Sequence, residues 1–406
     1  MKIESIHIKG FKSIKDLKIE GLSDINVFFG QNNVGKSNVF EAITICHRLL
    51  TNQATVKIAD LVAEFGQIFA LNGEGVIEMQ LNVRLDKDEQ KKIHPDIRLL
   101  NPVLSISYRL NKQSSNVPKP EVKALTPNGE VSYPQGKYQL DWSEFHLIPA
   151  QRQFQRELMS TGDNNGKAKV VSHRNLKQAL FDAYNSLDFQ QKKRLAAIRS
   201  VLNNPPFELG ELDIARDPSN NEVNIGFIRP NGRLPIENMG SGTQQLLLML
   251  GQIFLNDYPI IALEEPEMNL SPQYQSLLLD TLRQLMQDPA VKLNQLFIST
   301  HSPHLEFQEN FFHVFLDEHG YTQVERATKA QHERHFALTP VGPDEGARLN
   351  SLNQVKLYQG VIDDLGLKWG DLVFFVKNDV TQRWELHPES EVIEKLETAW
   401  NGSNKE

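Results

Sequence analysis

The chain has 406 residues, enough for one large α/β domain or two ordinary ones at about 100–200 residues each, with a core that needs no disulfide or metal staple. Hydrophobic residues at 40% and charged residues at 23% exclude both a disordered chain and one embedded throughout in a bilayer. A formal net charge of −8, from 43 basic and 51 acidic side chains, excludes nucleic-acid binding through the overall field and leaves only a local patch for it.

The first residues place Lys2, Glu4 and Lys9 among apolar ones and read as no signal peptide. Apolar residues alternate through Ile6, Ile8 and Phe11, then through Ile14, Leu17 and Ile19, which predicts two half-buried strands joined by a turn. Residues 24–29 are almost continuously apolar up to Gly30, the pattern of a central strand covered on both faces. Beyond Ser37, Val39, Phe40, Ala42, Ile43, Ile45 and Cys46 recur at helical spacing as far as Leu50. Cys46 is the only cysteine, so an intramolecular disulfide is excluded and a reducing cytosol fits.

From about 51 to 236 the sequence is less regular. Strands are predicted at 76–85 and 104–110, a polar loop at 113–137, and helices at 175–187 and 189–202 without the heptads of long coiled-coil arms. The apolar run 246–255 is shorter than the roughly 20 residues of a bilayer span and reads as a buried helix. Apolar strands return at 259–263 and 295–299, each followed by polar residues. Thr339, Pro340, Gly342 and Pro343 read as a linker to a separate C-terminal module.

Four pieces carry chemistry. Gly30, Gln31, Asn32, Asn33, Val34, Gly35, Lys36 and Ser37 fit G-x-x-x-x-G-K-[ST] between a predicted strand and a predicted helix. Its glycines let backbone N–H groups curl around phosphate oxygens, and the helix N-terminus adds its positive end. Lys36 is expected on the β and γ phosphates and Ser37 on Mg²⁺. The second piece is the strand 260–263 ending in two adjacent carboxylates. Glu264 is expected to hold the metal through water, and Glu265 to orient and deprotonate the attacking water; solvated acids opening a helix are the alternative. Third, Asn238-Met239-Gly240-Ser241-Gly242-Thr243-Gln244 feeds a helix N-terminus, either as an ordinary cap or as a second anion cradle. One nucleotide does not need two cradles from one chain, so the second makes sense over a γ-phosphate held by another subunit. Fourth, His301 follows the strand 296–298, where it can stabilise the γ-phosphate and water or serve the structure alone.

In this order the four pieces resemble the ABC-type ATPase heads of the RecF, SMC and OLD families. The likeness covers most of residues 1–320, including Gly10-Phe11-Lys12-Ser13-Ile14, Glu264-Glu265-Pro266-Glu267 and Ser299-Thr300-His301-Ser302-Pro303. It implies an α/β P-loop NTPase of ABC-ATPase type at 1–345, with an inserted α+β lobe at about 51–236 and a small, mainly-β module at 346–406. It further implies Walker A at 30–37, a signature loop at 241–244, Walker B at 260–265, a D-loop near 269–271 and a switch histidine at His301. The nucleotide contacts so implied are Gly30, Asn32, Asn33, Val34, Gly35, Lys36, Ser37, Asn38, Ser241 and Gly242, with Ser37 and Glu264 on the metal. Glu264 departs from the Asp common in Walker B, a change shared with OLD-like heads. No glutamine is assigned to the Q-loop, and Arg152 is either near the nucleotide or a salt-bridged structural residue.

The resemblance also implies ATP and Mg²⁺, hydrolysis to ADP and phosphate, and a homodimer or higher even oligomer that shares its sites between subunits. No Toprim-type acidic arrangement follows His301, and Asp363-Asp364 lacks its spacing, so no nuclease site is expected. The output is then a separately encoded nuclease or toxin, as in cytoplasmic anti-phage systems. The alternatives are a RecF-like repair clamp gripping DNA with the lobe at 51–236 and a nucleotide-sensing scaffold with negligible turnover. The tail resembles the swapped-hairpin AbrB-like fold at Leu365-Gly366-Leu367-Lys368-Trp369-Gly370-Asp371. From Ala347 it carries 7 basic and 10 acidic side chains, which favours dimerisation or partner docking over DNA.

Overall fold

A computed structural model describes residues 1–51, 56–70, 75–91, 101–114, 117, 120–126, 129–132, 145–150, 175–205, 207–256, 258–288, 291–302, 305, 310–327, 365–366, 373–377, 384–388 and 392–393. The alternating N-terminal residues form β1 (Lys2–Phe11) and β2 (Ile14–Glu20), antiparallel with Ile6 opposite Ile19 and Ile8 opposite Leu17. β3 (Ile25–Phe29) is buried throughout and leads through the glycine loop into α1 (Lys36–Thr51). Next come α2 (Ile58–Phe65), β4 (Val76–Arg84), a short α3 (Lys87–Lys91), β5 (Val103–Asn111), β6 (Glu121–Thr126), β7 (Gly129–Ser132) and β8 (Phe145–Ile148). A helical pair, α4 (Leu176–Asn185) and α5 (Phe189–Asn203), precedes β9 (Glu211–Arg216), β10 (Val223–Arg229) and β11 (Gly232–Pro235). The apolar run becomes α6 (Ser241–Leu255), followed by β12 (Ile260–Glu264), α7 (Pro272–Gln287), β13 (Gln295–Thr300), β14 (Phe311–Leu316) and β15 (Thr322–Arg326).

Two large sheets sandwich α1. The first is antiparallel, in the order β2-β1-β4-β5-β6-β7; the second runs β15-β14-β3-β13-β12-β8 and is parallel except for β15. One hydrophobic core joins Ile6, Ile8 and Leu81 of the first sheet to Val39, Phe40 and Ile43 of α1 and to Phe28, Ala262 and Phe297 of the second. Phe28 lies at its centre, edge-on to Phe40 at 5.5 Å and stacked on Phe312 at 5.1 Å between ring centres. A smaller sheet, β11-β10-β9, packs with α4, α5 and α6. This architecture is the expected α/β P-loop fold. Because β3, β12 and β13 are parallel neighbours, their C-terminal ends deliver Gly30, Glu264 and Thr300 to one edge, where open α/β sheets bind ligands.

The stretch 51–236 is α+β but occupies three places rather than one lobe. β4 to β7 widen the first sheet, β8 edges the second, and α4 and α5 pack on α6 and on the β9–β11 sheet. The polar segment expected as a loop at 113–137 holds β6 and β7 instead; β7 is exposed along its whole length, and a strand at a sheet margin needs no apolar alternation. Cys46 is buried, and burial pushes its thiol up to about 12.

The chain divides into two compact units, Met1–Ala327 and Thr328–Glu406. The first ends where Ala327 N–H donates to Phe311 O, just past β15, upstream of the boundary expected at 345. In the second, β16 (Val373–Lys377) and β17 (Trp384–Pro388) pair antiparallel, and Gly366 takes a φ of +62°. Residues 339–343, Asp363 and Asp364, and Gln151 and Arg152 lie outside the described residues.

Candidate active site

The glycine loop forms the turn from β3 into α1. Gly30 N–H donates to Thr300 O at 3.2 Å, tying the loop to the end of β13. Lys36 opens α1, is only 6% exposed, and folds back so that Nζ donates to Gly30 O at 2.7 Å and Gln31 O at 2.8 Å. Burial pushes its ammonium below the usual lysine range, and the Glu265, Glu267 and Glu264 carboxylates oppose that shift. Asn32, Asn33 and Ser37 are exposed, while Val34 is buried beneath the loop.

A chain of hydroxyls braces the loop from behind. Thr322, the first residue of β15, donates Oγ1–H to Val34 O at 2.8 Å; its proton thus spent, Ser13 must donate in the 2.6 Å contact between their hydroxyls. Asn38 then donates Nδ2–H to Ser13 Oγ at 2.7 Å. Asn38, expected at the nucleotide, directs its side chain to this brace and its backbone N–H to Gly35 O. Gly35 has a φ of +95°, and a Cβ there would lie 2.1 Å from Thr322 Oγ1 and 2.8 Å from Ser13 Oγ. Gly35→Ala is therefore expected to cost about 1–3 kcal/mol in backbone strain alone and to weaken nucleotide binding at least about tenfold. Thermal unfolding and titration with a fluorescent ATP analogue measure both, and unchanged affinity would refute the brace.

Glu264 ends β12 half-buried. Burial pushes its carboxyl above the usual range; the Ser37 hydroxyl and the Ala150 N–H donate to it and pull it back, while negative Glu41 and Glu265 add to the rise. Glu265 turns away with a φ of +41°, and its N–H donates to Ser299 O at 2.9 Å, extending the pairing of β12 with β13 by one step. Its Oε1 lies 3.4 Å from His301 Nδ1. The structure therefore brings together Lys36, Ser37, Glu264, Glu265 and His301 from the three strand ends.

Ser37 hydroxyl and Glu264 carboxylate are hard oxygen donors in mutual contact, the donor set that suits Mg²⁺. No group of three or more His, Cys, Asp or Glu among the described residues can hold a metal, so an ion here would complete its shell with phosphate oxygens and water. That is the usual arrangement for Mg²⁺ at a nucleotide.

Ser241 and Gly242 begin α6, after Gly240. Ser241 is exposed, and among the described residues no hydrogen bond joins either to the Gly30–Ser37 loop. Gly242 instead packs on the turn after β12: a Cβ would lie 2.5 Å from Asn269 O, whose residue has a φ of +65°. The segments expected as signature loop and D-loop thus touch within one chain.

Three residues that the fold brings to the site have no role legible in the sequence. Ser13 and Thr322 are 309 positions apart and meet only in the fold. Glu267, 2% exposed, accepts from Thr300 Oγ1 at 2.5 Å; the signal for it was a third acid, three places past Glu264, in the turn that follows β12.

The model of the AAA ATPase domain family matches residues 1–102 and 80–305, which take in every element from β1 to β13. An ATP/GTP phosphatase of Helicobacter pylori (strain ATCC 700392 / 26695) is 30% identical over 95 residues, 21% of this chain and 26% of that protein. The DNA replication and repair protein RecF of Lactococcus lactis subsp. cremoris (strain SK11) is 34% identical over 73 residues, 18% of this chain and 20% of that protein. The chain thus spans about a fifth to a quarter of these curated relatives. An SMC head domain from Thermotoga maritima is similar over 81% of this chain and all of its own, at 13% identity and a TM-score of 0.44. No helix among the described residues is long and apolar enough to cross a membrane.

Proposed function

Since the chain belongs to the AAA ATPase domain family, we propose that it binds ATP with Mg²⁺, hydrolyses it to ADP and phosphate, and does so in a homodimer whose closure the nucleotide controls. The observation that carries this reading is the convergence of Lys36, the Ser37–Glu264 contact and the Glu265–His301 pair at adjacent strand ends. The loop N–H groups and the N-terminus of α1 receive the phosphates. Lys36 exchanges the carbonyls of Gly30 and Gln31 for β and γ phosphate oxygens. Ser37 and Glu264 would hold Mg²⁺, which neutralises developing charge on the phosphates. Glu265 accepts a proton from water as its oxygen bonds to the γ-phosphorus; the bond to the bridging oxygen breaks, and its electron pair leaves with ADP. His301 stands beside the Glu265 carboxylate, at the side where the γ-phosphate and water would lie.

The exposed N-terminus of α6, with no hydrogen bond to its own chain's loop, supports a role for Ser241 and Gly242 over the triphosphate of a second subunit. Mixing Ser241→Arg with Lys36→Ala protein tests this. Each alone is expected to be inactive, and the mixture to recover about a quarter of wild-type turnover, the share of composite sites intact in random dimers. No recovery would sink the shared site. The output we propose is a separately encoded nuclease or toxin, in cytoplasmic anti-phage defence, with the β16–β17 hairpin serving dimerisation or docking. The match to the RecF protein favours a second reading, an ATP-dependent DNA-repair clamp. DNA-stimulated ATPase activity that falls steeply with salt selects the second; stimulation by a partner protein or an invader component selects the first.

A further inference from the structure

We infer that Glu267 is a positioning residue for the hydrolytic step, holding the His301 ring between two carboxylates so that Glu265 is released to the attacking water. The inference rests on the proposed ATPase reading and deepens it. Glu267 Oε1 accepts from the Thr300 hydroxyl at 2.5 Å and from the His301 backbone N–H at 3.2 Å, which fixes the chain leading into the ring's attachment. His301 Nδ1 stands 3.4 Å from Glu265 Oε1 and 3.7 Å from Glu267 Oε1, a full hydrogen bond to neither. The second oxygen of Glu267, Oε2, is buried and has no hydrogen-bond partner among the described residues.

Buried carboxylate oxygens are normally paired, so an orphan one beside an undercommitted N–H marks a missing contact. A small rotation of the 45% exposed His301 ring lets Nδ1–H reach either acid. When it leaves Glu265, that carboxylate keeps both oxygens for water. Burial, which pushes the Glu267 carboxyl above its usual range, strengthens its hold on a donated proton. The other charged groups that act on this cluster are Lys36, Glu264 and Glu265.

Glu267→Gln keeps an acceptor for Thr300 and for the His301 N–H but replaces the second oxygen with an amide that cannot accept. The expected result is nucleotide affinity within about twofold of wild type, unchanged KM, and kcat lower by about ten- to a hundredfold. Combined with His301→Ala, it should add no further loss, because it acts through the ring. In wild-type protein, imidazole ¹⁵N shifts should report the Nδ1–H tautomer of His301, a readout that needs no variant to fold. A predominantly Nε2–H ring, a wild-type kcat in Glu267→Gln, or additive losses would overturn the inference while wild-type turnover stands. Absence of turnover in the wild type would instead defeat the ATPase reading on which it rests.

Discussion

Lys36→Ala is expected to abolish measurable nucleotide binding. The ammonium is buried, already desolvated, and held by two loop carbonyls that a triphosphate can replace without reorganising the side chain. Charge-assisted hydrogen bonds contribute about 1.5–3 kcal/mol each, so losing two phosphate contacts weakens affinity by about a hundredfold or more. A second effect acts in the same direction. Without Lys36 the site's nearest charges are Glu264, Glu265 and Glu267, and an incoming polyanion meets uncompensated carboxylates. The fold should survive, since among the described residues Nζ bonds to the loop's own carbonyls alone. Calorimetric titration with a non-hydrolysable ATP analogue, beside thermal unfolding, reads both; binding within tenfold of wild type would contradict the assignment of the loop.

Glu265→Gln separates chemistry from binding. Glutamine matches glutamate in shape and tolerates the same backbone turn at φ +41°, but its amide cannot take a proton from water. Removing a general base lowers turnover by about 10²–10⁴-fold while leaving the phosphate loop intact. Affinity should hold or rise, because one carboxylate facing the triphosphate becomes neutral. The ATP-bound dimer is then expected to accumulate and to elute as such from a sizing column in ATP and Mg²⁺, whereas wild-type protein returns to monomer as ATP is consumed. Normal turnover in this variant would remove Glu265 from its role.

The parts of this architecture that could be read in advance are those whose physics is local. The nearly continuous apolar run of β3, the helical spacing of α1 and the two acids closing β12 are each set within a few residues. β7 was hidden because a strand exposed along its whole length lacks the alternation that betrays a half-buried one, and β6 because its alternation rests on Val122 and Ala124 alone within a polar stretch. The brace was hidden for a different reason. Ser13, Asn38 and Thr322 look like ordinary polar residues until the β1–β2 turn, the first turn of α1 and the start of β15 meet within hydrogen-bond reach. The bond from Asn38 to Ser13 was equally invisible, since nothing in the local sequence says which way an amide beside Ser37 turns.

β3 lies between β13 and β14, and Thr322 of β15 locks the turn that follows β3. During synthesis the ribosome must therefore release nearly three hundred more residues, at about 5–20 per second, before a finished phosphate cradle exists. For many seconds the nascent N-terminal segment carries a bare, apolar β3 with neither neighbour to cover it, a span in which chaperone capture competes with misassembly. The first piece of the candidate site to leave the exit tunnel is thus among the last to be completed.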